Sequence, residues 1–226
     1  MKVNFNRLTD LYKNKKIDIS ECLSKVKFEY RHLSPAIYLY NKIISYNGNK
    51  FSKDFIELLY VTLDAWNMNS RAANLSEFDD FKKSILDNKN LFKKLENLNI
   101  RNIEEAFDTL KDLYNNLNLV GTNSPLVTFT KTLHFMLPEL VVPIDRKYTL
   151  SFFGVNNYQL VNNPYEVFEG IHKGFCDFAN AVAATEKGLS SYLENNTDNL
   201  TWLTSEAKII DNIIIGYQKS RTKKGS

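Results

Sequence analysis

Glycine and proline are scarce in this chain, with 8 and 5 residues among 226. So few breakers weigh against a turn-rich β fold and favour long helices. Cysteine is nearly absent too. Cys22 and Cys176 stand far apart without a C-x-x-C, which gives no disulfide framework and fits a reducing compartment. The three histidines, His32, His134 and His172, are scattered, so no metal site is expected. Neither a P-loop nor a dinucleotide-binding fingerprint occurs, and no cofactor is expected. No nucleophile motif of a serine or cysteine triad occurs either. Charge of one sign is not in excess, since the net charge is only +3. Basic residues do gather at Lys13 to Lys16 and Arg221 to Lys224, where solvated tails are the ordinary outcome. No apolar run approaches the roughly 20 residues that span a bilayer, and the first residues lack a signal-peptide core. The expectation is a cytoplasmic protein without a membrane partner.

What is present is apolar and aromatic. Hydrophobic residues make up 43% of the chain, with 15 Phe and 12 Tyr. The expected fold is an all-α domain over residues 1–226, a compact multi-helix protein or two helical lobes with a cleft between them. Short helices are expected over 4–14 and 18–30. Ser34-Pro35 reads as a cap and first turn, opening a helix that Asn47-Gly48 ends. Phe55, Leu59, Leu63 and Trp66 recur at three- and four-residue steps in a helix from 52 to 67. Two charged helices follow between Leu75 and Leu98. A single helix is expected from Asn102 to Asn116, with a polar connection from Val155 to Asn163. Pro164 then opens a long helix, in which Gly170 and Gly174 invite close packing by another helix. A last helix, from Thr201 to Lys219, closes the fold with Trp202, Ile209, Ile210, Ile213 and Ile214 inside.

The stretch from Pro125 to Gly154 departs from this routine. Leu126, Phe129, Leu133 and Met136 mark an amphipathic helix, and Pro138 ends it. An apolar connection, Leu140-Val141-Val142-Pro143-Ile144, leads to Asp145 and a second helix over RKYTLSFF. A carboxylate after such a run is costly unless something satisfies it. Asp145 either caps the next helix or serves chemistry, and a cap can do both.

Lys131 within Lys-Thr-Leu-His and Asp145 within Val-Pro-Ile-Asp together resemble the catalytic segment of the helix-hairpin-helix DNA glycosylases. The glycine-rich hairpin of that family is missing; Val120-Gly121-Thr122-Asn123-Ser124 stands in its place. The resemblance implies an enzyme that hydrolyses the N-glycosidic bond of a modified or damaged base and leaves an abasic site. Its setting would be DNA repair, or defence against phages whose DNA carries modified bases. Asp145 would stabilise positive charge on the sugar or activate water, and Lys131 would be the amine that attacks C1′ in a bifunctional member.

Duplex DNA with an extruded base is the partner this implies. Trp66 is suited to stack a base, and Asn69 and Arg71 to supply donors, or else the three form only a helix end. His134 shares a helix face with Lys131, and reaches the same cleft or is a core histidine. Tyr148 orients Asp145 or packs in the core. Arg146 and Lys147 are placed to meet phosphates. The competing reading is a non-enzymatic helical module that binds protein or nucleic acid. The oligomeric state is not legible.

Overall fold

Helix follows helix along this chain, and several begin where a side chain takes up an orphan N–H group. The computed structural model describes residues 3–26, 35–66, 74–121, 125–185, 188–194 and 203–222. Of these, 71% are helical and none forms a strand; one isolated antiparallel bridge pairs Leu75 with Val120. The helices are α1 (Arg7–Lys13), α2 (Ile19–Lys25), α3 (Pro35–Ile44), α4 (Lys53–Ala65), α5 (Phe78–Asp87), α6 (Lys89–Leu95) and α7 (Phe107–Asn116). They continue with α8 (Leu126–Met136), α9 (Ser151–Phe153), α10 (Asn157–Asn162), α11 (Pro164–Ala183), α12 (Ser191–Glu194) and α13 (Glu206–Thr222). A 3₁₀ segment, Ile100–Ala106, precedes α7, and a π-helical turn, Arg146–Leu150, precedes α9.

Ser52 caps α4 by accepting from the Phe55 N–H, and Asp18 caps α2 through Glu21. Pro164 takes the first position of α11, where its missing N–H costs nothing.

Two stretches differ from expectation, and asparagine explains both. Residues 102–116 do not form one helix. Asn102 leaves helical geometry (φ −122°, ψ 24°) to close a capping box with Asn99, and the 3₁₀ segment results. Residues 155–163 are not a connection. Asn156 and Gln159 form a reciprocal capping box that starts α10. In both places an asparagine acts as a cap.

The core lies around α8, the segment after it, α11 and α13. Every residue of α8 except Val127 is buried. Leu140 to Ile144 is wholly buried outside helix and sheet. Its first two N–H groups donate to the Leu137 carbonyl at 3.1 and 3.2 Å, and side chains take up further groups. His134 Nδ1 lies 2.9 Å from the Val141 carbonyl, and His172 Nε2 lies 3.1 Å from that of Val142. The Ile144 N–H donates to Thr130 Oγ1 at 3.1 Å.

Helix α13 is buried all round from Ser205 to Ile215, so it runs through the protein rather than closing it from outside. Close approach needs glycine at two points. A Cβ at Gly174 would meet the Phe5 carbonyl at 2.1 Å, and one at Gly216 the Cys22 carbonyl at 2.0 Å. The neighbour anticipated at Gly174 is therefore the backbone leading into α1, not a helix.

Burial drives the His134 imidazole down to about 3 and that of His172 to about 4, against the pull of the carbonyls they bind. Both rings are neutral in the fold, while the unfolded chain protonates them below about pH 6.5. Stability therefore falls as pH drops from about 6.5 towards those folded values. His172→Gln, which keeps a donor for Val142, should flatten the pH dependence of the urea midpoint between about pH 6.5 and 5. An unchanged slope would mean that the ring is charged in the fold.

Candidate functional site

Buried charge gathers where α3, α4, α8 and α13 converge, apart from Glu206, which pairs with Arg101 at 3.2 Å. The floor is aromatic. Trp66, the residue that ends α4, is pinned by its indole N–H to the Ala36 carbonyl at 3.3 Å. Tyr40 of α3 stacks on it with ring centres 5.6 Å apart and planes 16° from parallel. His134 stacks on Tyr40 in turn at 6.2 Å and 14°. Phe135 meets the Trp66 ring edge-on at 5.2 Å. Such offset and edge contacts are the favoured ones between aromatic rings.

Two lysines point at this floor. Lys131 of α8, 9% exposed, holds its ammonium 5.3 Å from the Trp66 ring centre. Lys208 of α13, 2% exposed, lies 5.9 Å from Trp66 and 5.7 Å from Tyr40. Both distances suit a cation–π contact. Lys208 also donates to Asp211 Oδ2 at 2.5 Å, one helical turn on. Asp211 is 5% exposed, and burial pushes its carboxyl above the usual range. Lys208 and Lys131 pull it down, while Asp145 pushes it up. Asp211 thus feels the charges of both Lys131 and Asp145, which the sequence places on separate elements.

Asp145 is held by its own cap. Its Oδ1 accepts from the Tyr148 N–H at 2.6 Å, and its carbonyl accepts from the Leu150 N–H at 3.0 Å, a π-type step. Its N–H reaches Thr149 Oγ1 at 3.4 Å. The cap fixes the carboxylate in position. Pi turns are rare and are concentrated at functional positions.

Of the residues singled out in the sequence, Lys131, Trp66 and His134 are gathered in one cluster, while Asp145 bears on it as a like charge that pushes the Asp211 carboxyl up. Tyr148 orients Asp145 through its backbone N–H, which any non-proline residue would supply. Its half-buried ring lies under the Lys147 ammonium at 5.2 Å. His134 spends Nδ1 on Val141, while Nε2 faces the Tyr40 hydroxyl at 3.4 Å. Arg146 and Lys147 are exposed on the first turn past Asp145. Asn69, Arg71 and Trp202 lie outside the described residues.

Lys208, Asp211 and Tyr40 escaped the sequence reading. The signal was available in Lys208, Asp211 and Asn212, which stand at i, i+3 and i+4 in an otherwise apolar helix and so share one face. An open depression of about 470 Å³ lies elsewhere, lined by Asp80, Lys83, Ser84, Asp87, Asn88, Asn116 and Asn118. It holds none of these residues. Its charged walls are exposed, so the cluster is the better candidate.

A buried ion pair rarely stabilises a fold more than apolar residues of like volume, but breaking one leaves an unpaired charge. Asp211→Leu alone should cost about 3–5 kcal/mol in urea unfolding, and Lys208→Met/Asp211→Leu should restore most of that. A double variant as unstable as the single one would show that the pair stabilises on its own account.

No family model matches the chain, nor does any curated protein or solved structure.

Proposed function

We propose that the chain is a DNA glycosylase of the helix-hairpin-helix kind, lacking the glycine-rich hairpin, which removes a modified or damaged base and leaves an abasic site. The observation that carries this reading is the Lys131 ammonium on the Trp66 ring, in the same charge cluster as the capping carboxylate of Asp145. An amine and a carboxylate beside an aromatic surface suit a reaction that builds positive charge on a sugar as a base departs.

In the hydrolytic course, water attacks C1′ as the C1′–N bond breaks. Asp145 stabilises the developing cation and takes the proton from water, and the base leaves with the bonding electrons. In the lyase-type course the Lys131 amine, deprotonated, attacks C1′ instead and goes on to a Schiff base. The hydrolytic course fits better, because the surroundings of Lys131 depart further from the family pattern than those of Asp145. Exposed Arg146 and Lys147, one turn from Asp145, are suited to phosphates. Repair of the cell's own DNA and defence against modified phage DNA would use the same chemistry.

Asp145→Asn keeps the shape and removes the charge. Its rate of base release should fall by about 10² or more, with DNA binding retained. Borohydride added during turnover should trap no covalent adduct if water is the nucleophile. An adduct lost in Lys131→Ala would assign the amine instead. Base release at the parent rate in Asp145→Asn would remove the basis of the proposal.

DNA affinity should fall steeply with salt, and Arg146→Ala or Lys147→Ala should weaken all sequences alike and lower the salt slope by about one each. Absence of DNA binding would favour the competing reading, a helical module that binds protein.

A further inference from the structure

We infer that Lys208 and Asp211 form a positioning pair for Lys131 and Asp145, one that sets the charge surroundings in which the α8 amine works. The inference rests on the reading of Asp145 as the reacting carboxylate with the Lys131 amine beside it, but it concerns two residues which that reading does not use.

Stability does not account for the pair. Helix α13 is apolar on its other faces, with Ile209, Ile210, Ile213 and Ile214 fully buried. An apolar pair at 208 and 211 would fill the same space without the cost of desolvating two charges. The geometry points elsewhere. Lys208 and Lys131 come from different helices yet approach the same indole, at 5.9 and 5.3 Å.

Asp211 couples to Lys208 on its own helix, to Lys131 on α8 and to Asp145 before the π turn. Its charge also reaches the Tyr40 phenol on α3. Two lysines thus share one indole, and Asp211 is the carboxylate hydrogen-bonded to one of them. Without Asp211, Asp145 would feel more of the pull of both lysines. Their attraction would compete with its work at a substrate, and Lys131 would lose a charge that favours its protonated form.

The pair is also held rigidly. Ser205 Oγ accepts the Lys208 N–H at 3.1 Å and donates to the Pro138 carbonyl at 2.8 Å. This ties the first turn of α13 to the residue that ends the α8 segment. Lys208 therefore keeps its place relative to α8.

The test reads the Lys131 amine directly. The full chain is acetylated with acetic anhydride across neutral to alkaline pH, and labelling at Lys131 is followed by peptide mass spectrometry. In Asp211→Asn the profile should move to lower pH by about one unit, a tenfold change in reactivity at fixed pH. Asp211→Glu should bring it back. Should Asp211→Asn fail to fold, Lys208→Gln removes the neighbouring positive charge instead, and its profile should move to higher pH. An unmoved profile in a folded variant overturns it.

Base release supplies a separate arm. The folded variant should lose about tenfold in kcat, with DNA affinity within about twofold of the parent. A parent chain that releases no base, combined with a displaced labelling profile, would sink the glycosylase reading and leave the pair standing. A folded variant with the parent's kcat would sink the pair.

Discussion

A buried segment outside helix and sheet has to find partners for its backbone, and the centre of this protein is built on that need. Leu140 and Val141 donate to the Leu137 carbonyl that follows α8, and further bonds to Leu140–Ile144 come from His134 and Thr130 on α8 and from His172 on α11. Each of these bonds fixes the segment against a helix. Together they hold α8 and α11 on the same piece of chain and bring Asp145, at its end, to a fixed place. The histidines suit this role because burial keeps their rings neutral. A neutral ring donates one proton, so His172, lying between the carbonyls of Phe168 and Val142, donates to one of them at a time.

The same frame explains why charge can be buried beside it. Lys131 leaves α8 one turn before His134, so the bond that fixes His134 also limits where Lys131 can point. Trp66 is fixed from the other side, by Ala36 and by the Tyr40 stack. Lys208 and Asp211 enter on α13, whose start is tied to Pro138 by Ser205. Four charged groups thus reach one region on elements whose positions are set by other bonds. Such preorganisation is what electrostatic catalysis requires, since the cost of arranging the charges is met in folding rather than in reaction.

Much of the fold was legible because burial writes a period into the sequence. Leu126, Phe129, Leu133 and Met136 announced α8, and Pro164 announced α11. Where asparagine set the outcome, the period said nothing. Asn99 with Asn102, and Asn156 with Gln159, act through side-chain bonds that resemble loop signals until the partners are seen. The candidate site was half legible. Lys131 and Asp145 stood out because each breaks an apolar pattern within one short stretch. Their meeting with Trp66 and with α13 depends on contacts across the chain that no local spacing encodes. Lys208 and Asp211 were hidden by their own surroundings. A helix rich in isoleucine reads as core, and two charges within it read as its exposed face until the burial of the whole circumference is known.

That last point bears on what the charges are for. On a half-exposed helix, a lysine and an aspartate one turn apart would need no explanation beyond solvation. On a helix buried all round, the same pair costs desolvation energy that apolar residues would avoid. The chain carries this cost on α13, beside an aspartate that follows five buried residues and a lysine buried against an indole. The buried lysines are unfavourable to folding taken singly, whereas Asp145 is satisfied as a cap. The convergence of the two lysines on one aromatic floor is what an arrangement for chemistry or recognition predicts, whereas chance would scatter them. A fold optimised for stability alone would have no reason to gather them.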